Sequence, residues 1–425
     1  MKKVIFKSVI TSILLVLTLV TYANNKVIIK TSSKEVWIGV GGSRDIVIDW
    51  GDGKTSSIQN DGKLLDWDWG GKSFTHTYNN SSPRTIVITG YNINVLSCKD
   101  LTSLDVTQCT SLEFLRCANN KNLTNLDISK CTNLQVLNCC HTSLTHLDVS
   151  QCTELVTLNC GFSQLRNLTL NESLEILDCG SNQLKYLDVS NCLKLRSLSC
   201  DNNQLTNLNL SNNSELRYLG CYGNQLRNLD LTGCINLKKL DCRGNNLTYL
   251  DLYDCTELKE LWCDENLLTE LDVSNSPLLT TLSIEFNPKL KRLFYNKRNI
   301  EYFMDRGCPN LEVSDPIESI SVNMRNSNNG KTTVTPKGCD GFFYIEFENF
   351  FGTNYQFVSI GEVQGLGNVT TIPRSGWSNR VAVIQGHGYV VKCGNNGYFR
   401  IYVVREILDM TQRGVIGAEI RYSPM

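Results

Sequence analysis

Leucine recurs at fixed intervals through the middle of the chain, and each leucine group ends in a cysteine. The tripeptide Leu-x-Cys begins at Leu198, Leu219, Leu240 and Leu261, each 21 residues after the last. Apolar and polar positions alternate within each group, which is the two-residue period of a β-strand. An asparagine follows three residues after each cysteine and predicts a turn out of the strand. Self-similarity at this period predicts a solenoid, in which each coil buries its apolar side against its neighbours.

Each coil carries a second apolar stretch of the form Leu-x-x-Leu-Asp-Val/Leu, as in residues 247–252. No stretch shows sustained helical spacing, so we expect extended segments and tight turns on both sides of the coil. One coil is short, because Cys160 and Cys179 lie only 19 residues apart and no second cysteine follows its second stretch. A second cysteine often follows that stretch elsewhere, at Cys109, Cys131, Cys152, Cys192, Cys234 and Cys255.

Both flanks of the repeats read as β-structure. Residues 24–92 contain short β-branched and aromatic runs separated by turn residues, and residues 313–425 alternate in the manner of an antiparallel domain, with a hairpin turn at 394–397. Segment 296–312 is expected to cap the last coil. The predicted organisation is therefore a signal peptide at 1–23, a β-sandwich at 24–92, a solenoid with its cap at 93–312, and a C-terminal β-domain at 313–425.

The repeat motif resembles that of a known family. Leu-x-x-Leu-x-Cys-x-x-Asn-x-Leu-x-x-Leu-Asp-Val is similar to the leucine-rich repeats of internalins, in particular those with a cysteine ladder. The order Trp-Gly-Asp-Gly (50–53), His-Thr-Tyr (76–78) and Thr-Ile-Val-Ile (85–88) resembles a polycystic-kidney-disease-like (PKD-like) β-sandwich. The layout looks like secreted or surface proteins of Bacteroidetes. The resemblance implies a mainly β leucine-rich-repeat solenoid with parallel sheets, whose concave sheet contacts a partner, often in adhesion.

The N-terminus predicts export. Lys2, Lys3 and Lys7 precede a short apolar run at 9–20, and Thr21-Tyr22-Ala23 offers a cleavage site, although an uncleaved anchor is the alternative. No second long apolar segment follows, so no membrane span is expected in the mature chain. The sequence leaves open the periplasm, the cell surface and the medium, and the absence of a terminal sorting signal argues against wall anchoring. The net charge of −1 argues against nucleic acid as a partner.

The cysteines are expected to be buried thiols. Ladder cysteines from adjacent parallel strands would lie about 4.8 Å apart and point the same way, which suits neither a tetrahedral metal site nor a disulfide. Cys140 is predicted to face outward as the reactive exception, because Cys139 faces inward. Cys339 and Cys393 either pair in the last domain or remain free.

No cofactor or enzymatic activity is expected. The recurrent aspartates Asp127, Asp148, Asp188, Asp230, Asp251 and Asp272 could bind Ca²⁺ as a column, but capping of the following turn is the favoured interpretation. His76 belongs to the PKD-like motif, and His141 and His146 lie on different sides of one bend. His387 and Cys393 flank a possible hairpin and could suggest a nucleophile pair, but no third group that would orient the histidine is evident.

The outward positions of the first strands are the predicted binding site. If Leu240 and Cys242 point inward, their sequence neighbours point outward. Earlier coils expose small residues at 157, 159, 161, 197 and 199, whereas later coils expose aromatic and charged groups typical of hot spots. The partner would be an extracellular protein or glycan, and the oligomeric state is not predicted. An alternative is a spacer that presents a ligand-binding C-terminal domain. The predicted partner-binding residues are Tyr218, Tyr222, Lys239, Arg243, Glu260, Trp262 and Asp264.

Overall fold

A computed structural model describes residues 25–42, 45–58, 71–295 and 300–312 with their side chains, and the backbone of 63–64, 313–314 and the C-terminal strands. The described residues form strands and turns with no helix, so none could cross a bilayer as a helix. The predicted signal peptide lies outside them. By its contacts the chain divides into two compact units, Met1–Gln225 and Leu226–Met425.

The N-terminal strands form two sheets that merge with the first coil. Strand β1 pairs antiparallel with β7 and β9, and β2 pairs antiparallel with β6 and β8. Because β8 also pairs parallel with the first strand of the next coil, one strand belongs to both the sandwich and the repeats. The strands are β1 (Asn25–Thr31), β2 (Glu35–Gly42), β3 (Val47–Asp49), β4 (Thr55–Ser57), β5 (Lys63–Leu64), β6 (Lys72–Thr77), β7 (Arg84–Gly90), β8 (Ile93–Cys98) and β9 (Ser103–Gln108).

The repeats of the first unit stack as short parallel strands. The first stretch of each coil forms the sheet β8-β10-β11-β13-β15-β16-β17, and the second stretch forms the two-stranded sheet β12-β14. The strands are β10 (Phe114–Arg116), β11 (Val136–Asn138), β12 (His146–Asp148), β13 (Thr157–Asn159), β14 (Asn167–Thr169), β15 (Ile176–Asp178), β16 (Ser197–Ser199) and β17 (Tyr218–Gly220).

The second unit repeats this plan, with the parallel orders β18-β19-β21-β23 and β20-β22-β24. Strands of the last coil continue both sheets within and just beyond segment 296–312, the predicted cap, since β23 pairs with β21 and β24 pairs with β22. The strands are β18 (Lys239–Asp241), β19 (Glu260–Trp262), β20 (Glu270–Asp272), β21 (Thr281–Ser283), β22 (Arg292–Phe294), β23 (Tyr302–Met304) and β24 (Glu312–Ser314).

The core of both units consists of stacked leucines and thiols. In the first strands β10, β11, β13 and β15–β19, the central leucine is at most 1% exposed and the cysteine two residues later is fully buried, for example Leu198 with Cys200 and Leu240 with Cys242. Side chains on either side of the leucine point out of the core because strand residues alternate between faces. The mainly β leucine-rich-repeat solenoid is therefore confirmed, with parallel strands rising coil by coil.

The asparagine ladder fastens each coil to the one before. Asn203 Nδ2 donates to the carbonyls of Cys179 and Cys200 at 3.1 Å, and Asn203 Oδ1 accepts from the amide of Leu184 at 2.9 Å. The ladder asparagines thus bond the main chain of two coils. The hydroxyl substitutes Thr142 and Ser163 bond to each other, at 3.0 Å.

A tight turn closes the second stretch, and its inner residue is usually cysteine. The amide of Cys192 donates to the carbonyl of Val189 at 2.9 Å, and the same bond recurs at Asn213 and Ser276. Asn213 lies 21 residues after Cys192, so it continues the cysteine column with a polar side chain. The preceding aspartates cap this turn as predicted, since Asp188 Oδ1 accepts from the amide of Ser190 at 3.0 Å.

The C-terminal strands are antiparallel, as predicted, and form the sheets β25-β33-β32-β31-β29 and β26-β27-β28-β30. Strands β31 and β32 pair antiparallel from Lys392 and Tyr398, which confirms the predicted hairpin. His387 and Cys393 do not flank it, because both lie on β31. Cys339 lies outside the described residues. The strands are β25 (Glu318–Asn323), β26 (Lys331–Val334), β27 (Phe343–Glu346), β28 (Asn349–Phe351), β29 (Tyr355–Glu362), β30 (Arg380–Ala382), β31 (His387–Cys393), β32 (Tyr398–Asp409) and β33 (Gly414–Pro424).

Candidate functional site

The outward side chains of the first strands define a surface that we call the sheet face. In the second unit its backbone is held in register, with Lys239 opposite Glu260 and Asp241 opposite Trp262. Strand β21 continues both rows with Thr281 and Ser283. Neighbouring parallel strands lie about 4.8 Å apart, so side chains in one row touch. The strand register, and not chance proximity, therefore groups these residues.

Two ion pairs hold charged side chains on the sheet face of the second unit. Lys239 Nζ lies 2.7 Å from Glu260 Oε1, with the lysine side chain 48% exposed. Arg243 makes two contacts with Asp241, from Nε at 2.8 Å and from a terminal nitrogen at 2.6 Å. A two-point contact between guanidinium and carboxylate fixes the orientation of both groups. Arg243 is itself exposed, and Lys239 and Arg243 are the predicted site residues that present positive charge here.

Trp262 is half-buried on β19, and Asp264 departs from expectation. Asp264 was predicted to be exposed, but it is only 9% exposed. Its Oδ1 accepts hydrogen bonds from the hydroxyl of Ser283 and, at 2.7 Å, from the amide of Glu285. The next coil therefore folds over this carboxylate and engages it, which strand alternation alone does not reveal. Asp264 is a support for the sheet face and not part of its exposed surface.

The sheet face of the second unit extends further than the sequence predicted. Tyr302 is 66% exposed and Met304 is 41% exposed on β23. Tyr302 lies opposite Thr281, and Met304 lies opposite Ser283. Sequence reasoning missed both because the leucine and cysteine signals fade after Leu293. The surviving signal was the 21-residue interval, which places Met304 after Ser283 and Trp262.

In the first unit, Tyr218 and Tyr222 are both half-buried. Gly220 stands two residues after Tyr218 on β17, and a Cβ at Gly220 would lie 2.8 Å from the Tyr218 hydroxyl. The tyrosine side chain therefore lies across the glycine. This contact restricts the rotation of the tyrosine side chain.

The small-residue part of the first unit's sheet face holds carboxylates that sequence reasoning did not single out. Asp178 lies opposite Asn159 and Ser199, and a Cβ at Gly161 would lie 3.1 Å from Asp178 Oδ1. A Cβ at Gly180 would lie 2.8 Å from Asp201 Oδ2. Burial raises the pKa of Asp178, and the negative charge of the nearby Asp201 raises it further. The hydrogen bond that Asp178 accepts from the Gly180 amide lowers the pKa in part. Gly161 and Gly180 therefore leave space that the carboxylates of Asp178 and Asp201 occupy.

The ladder thiols are inert by position. Burial raises the pKa of Cys109, Cys117 and Cys131 to about 12, and it raises the pKa of Cys139 and Cys160 well above the ordinary value. Only the thiolate is a strong nucleophile or metal ligand, so these groups carry no chemistry at neutral pH. Cys140 is half-buried and faces away from the core, as predicted, although burial raises its pKa as well.

The histidine of the N-terminal sandwich belongs to an aromatic cluster. His76 stacks on Trp50 with ring centroids 4.7 Å apart, and its Nε2 lies 2.8 Å from Asp52 Oδ2. Tyr78 donates from its hydroxyl to the Trp50 carbonyl at 2.7 Å. The hydrogen bond with His76 lowers the pKa of Asp52. These contacts pin the Trp-Gly-Asp-Gly turn against β6 and account for His76 structurally.

Comparison with known proteins gives similarity over parts of the chain. A family model described as a domain of unknown function (DUF5036) matches residues 321–425. No curated protein matches. Among solved structures, the functional domain of InlJ from Listeria monocytogenes, described as including a cysteine ladder, is 31% identical over 52% of this chain and 54% of that one, with a TM-score of 0.46.

YopM from Yersinia enterocolitica is 26% identical over 49% of this chain and 52% of that one, with a TM-score of 0.33. An internalin, InlF, from Listeria monocytogenes is 17% identical over 53% of this chain and 90% of that one, with a TM-score of 0.27. This chain therefore spans about half the length of the InlJ domain and of YopM. The chain is similar to internalins and other leucine-rich-repeat proteins.

Proposed function

We propose that this chain is an exported binding protein whose sheet face contacts a protein outside the cell. The observation that carries the proposal is the second unit's pair of registered rows. One row ends in the exposed Tyr302, and the other places Trp262 and Met304 on either side of Ser283. Aromatic and methionine side chains beside paired charges are the composition of interface centres. Tyr218 and Tyr222 give the first unit aromatic groups of the same kind.

The mechanism of binding follows from rigidity. The main chain of each strand is bonded to neighbouring coils, and the ion pairs already hold Lys239, Glu260 and Arg243 in place. A surface ordered before contact loses little conformational entropy when a partner arrives. The paired charges at the sheet face would then favour partners with a complementary pattern and affect association more than affinity.

We further propose the layout and location that the sequence suggested. A signal peptide at residues 1–23 would direct export, and residues 24–92, 93–312 and 313–425 would be a PKD-like sandwich, the solenoid and a C-terminal domain. The stacked Trp50 and His76, with Tyr78 bonded to the Trp50 carbonyl, support the PKD-like assignment. Adhesion at a bacterial surface, of the kind found in Bacteroidetes, is the biological setting that we propose.

The test is capture of a host protein by the full chain, followed by separate variants of each unit. Trp262→Ala and the double variant Tyr218→Ser/Tyr222→Ser should each weaken capture without changing the melting temperature. Leu278→Ser is the matched control, because Leu278 is 43% exposed in a turn outside the sheet face. Capture unaffected by either sheet-face variant but lost on deletion of residues 317–425 would overturn the proposal in favour of the C-terminal domain. Turnover in a hydrolase screen would refute the non-enzymatic assignment.

A further inference from the structure

The shortened coil changes the second stretch and not the sheet. In the coil before it, nine residues run from Leu147 to Leu155, whereas seven run from Leu168 to Leu174. The register of the first strands is unbroken, since Leu158 lies opposite Leu177. The missing residues are therefore taken from the turn that closes the second stretch.

The deletion opens a cleft of ≈ 710 Å³ on the second-stretch side of the first unit. Leu168 and Leu170 line it and are half-buried, whereas their counterparts Leu147 and Val149 in the previous coil are 3% and 0% exposed. This volume lies within the range of about 300–1,000 Å³ that small-ligand sites occupy. A shorter turn has thus exposed apolar surface that every complete neighbouring coil covers.

Polar groups surround the leucines. Tyr186 is 71% exposed at the cleft, and the charge of the nearby Asp188 raises the pKa of its hydroxyl. The Ser190 hydroxyl and, to a smaller extent, the Ser190 amide donate hydrogen bonds that lower the pKa of Asp188. Asp188 is therefore a carboxylate at neutral pH. Glu172 provides a second carboxylate. The described residues lining the cleft include no lysine, arginine or histidine, which disfavours an anionic ligand.

Asn171 adds a buried acceptor at the edge of the cleft. It directly follows Leu170 in the shortened turn, and it is 4% exposed. Its Nδ2 donates to the Leu155 carbonyl at 2.9 Å, while its Oδ1 has no hydrogen-bond partner among the described residues. Asn213 Oδ1, in a complete coil, is also buried without a hydrogen-bond partner among the described residues, so the amides that a ligand can reach at the cleft are those of the exposed Asn167 and Asn191.

We propose that this cleft binds a neutral pyranose unit of a glycan, independently of the sheet face. A sugar ring has an apolar C–H face, which fits Tyr186 and Leu168, and a rim of hydroxyls, which fits carboxylate and amide acceptors. A metal ion fits less well, because the described residues contain no group of three ligating side chains. A cationic group fits less well because Asp188 already accepts two hydrogen bonds from Ser190.

The experiment is saturation-transfer NMR and calorimetry with the full chain and a panel of neutral probes: glucose, galactose, mannose, N-acetylglucosamine and their common disaccharides. At least one probe should bind. Tyr186→Ala should weaken that probe by about tenfold or more, since a single well-packed aromatic contact can contribute that much. Tyr186 is exposed, so its truncation leaves the core intact, which an unchanged melting temperature verifies.

A second variant restores the missing turn. Replacing residues 171–173 with the sequence of residues 150–154, Ser-Gln-Cys-Thr-Glu, returns the coil to 21 residues. It should abolish sugar binding while the protein stays folded. Trp262→Ala should leave sugar binding unchanged, which separates this proposal from the proposed function. The cleft proposal is overturned if no probe binds, if binding survives both cleft variants, or if Trp262→Ala removes it.

Discussion

Removal of one ladder asparagine tests whether side-chain amides hold the coils together. In Asn203→Ala, the buried amide of Leu184 loses its acceptor at 2.9 Å, and the carbonyls of Cys179 and Cys200 lose their donor at 3.1 Å. An orphaned buried donor costs about 1–3 kcal/mol, and each further hydrogen bond contributes about 1 kcal/mol. We therefore expect a loss of about 3–5 kcal/mol, a large part of the stability of an ordinary domain.

The matched control is the preceding residue. Asn202 is exposed and has a φ of 49°, and glycine stands at the equivalent position of the next coil, Gly223. Asn202→Gly suits this left-handed conformation and should change stability by less than about 0.5 kcal/mol. Equilibrium urea unfolding under reducing conditions, followed by circular dichroism, measures both variants. Hydrogen exchange at Leu184 should report the loss locally.

A third variant separates the donor from the acceptor. Asn203→Asp keeps the oxygen that faces Leu184 but replaces Nδ2 by an oxygen that faces carbonyls. Its folded pKa should be raised, so its stability relative to the parent should improve as the pH falls through that value and the carboxyl regains a proton to donate. If Asn203→Ala costs under 1 kcal/mol, or if Leu184 stays equally protected, the amide ladder is not what joins the coils.

The remaining predictions concern thiols, a turn and the aromatic cluster. The folded pKa values of Cys109, Cys117 and Cys131, about 12, exceed the ordinary 9.0, so stability should fall above about pH 9 by about 1.4 kcal/mol per pH unit for each thiol. Alkaline unfolding that is no milder in a Cys109→Ala variant would contradict this. Gly42→Ala should unfold the sandwich, because its Cβ would lie 1.6 Å from the Asn92 carbonyl oxygen at a φ of 139°; a normal melting curve would disprove it. Tyr78→Phe should lower stability by about 1–2 kcal/mol through the lost bond to Trp50, measured by thermal melting, and an unchanged midpoint would be inconsistent with that bond.

The sequence predicted the solenoid well because its core uses one rule throughout. Alternation placed Leu240 and Cys242 inside and Lys239 outside, and the interval of 21 residues placed successive strands in register. The aspartate caps were also predictable, since the hydrogen bond from the Ser190 amide to Asp188 spans only two residues. Local geometry of this kind leaves a direct mark on the sequence.

The rest of the candidate site depends on what neighbouring coils do. Asp264 is buried by Ser283 and Glu285, which follow it by a full coil, and Tyr302 continues a row after the leucine signal has faded. The cleft beside Tyr186 arises from residues that are missing, so no residue marks it. Alternation predicts the direction of a side chain, but not which neighbouring groups cover it or leave it bare.

The double pairing of strand β8 limits where the sandwich and the repeats can be separated by recombination. This strand bonds antiparallel to β2 on one side and parallel to β10 on the other, while β9 bonds to β1. A boundary drawn at residue 92, where the composition changes, would separate β8 and β9 from their partners β2 and β1. The unpaired strand edges would then promote aggregation. Genetic shuffling or protein engineering that respects the fold must therefore move the first coil together with the sandwich.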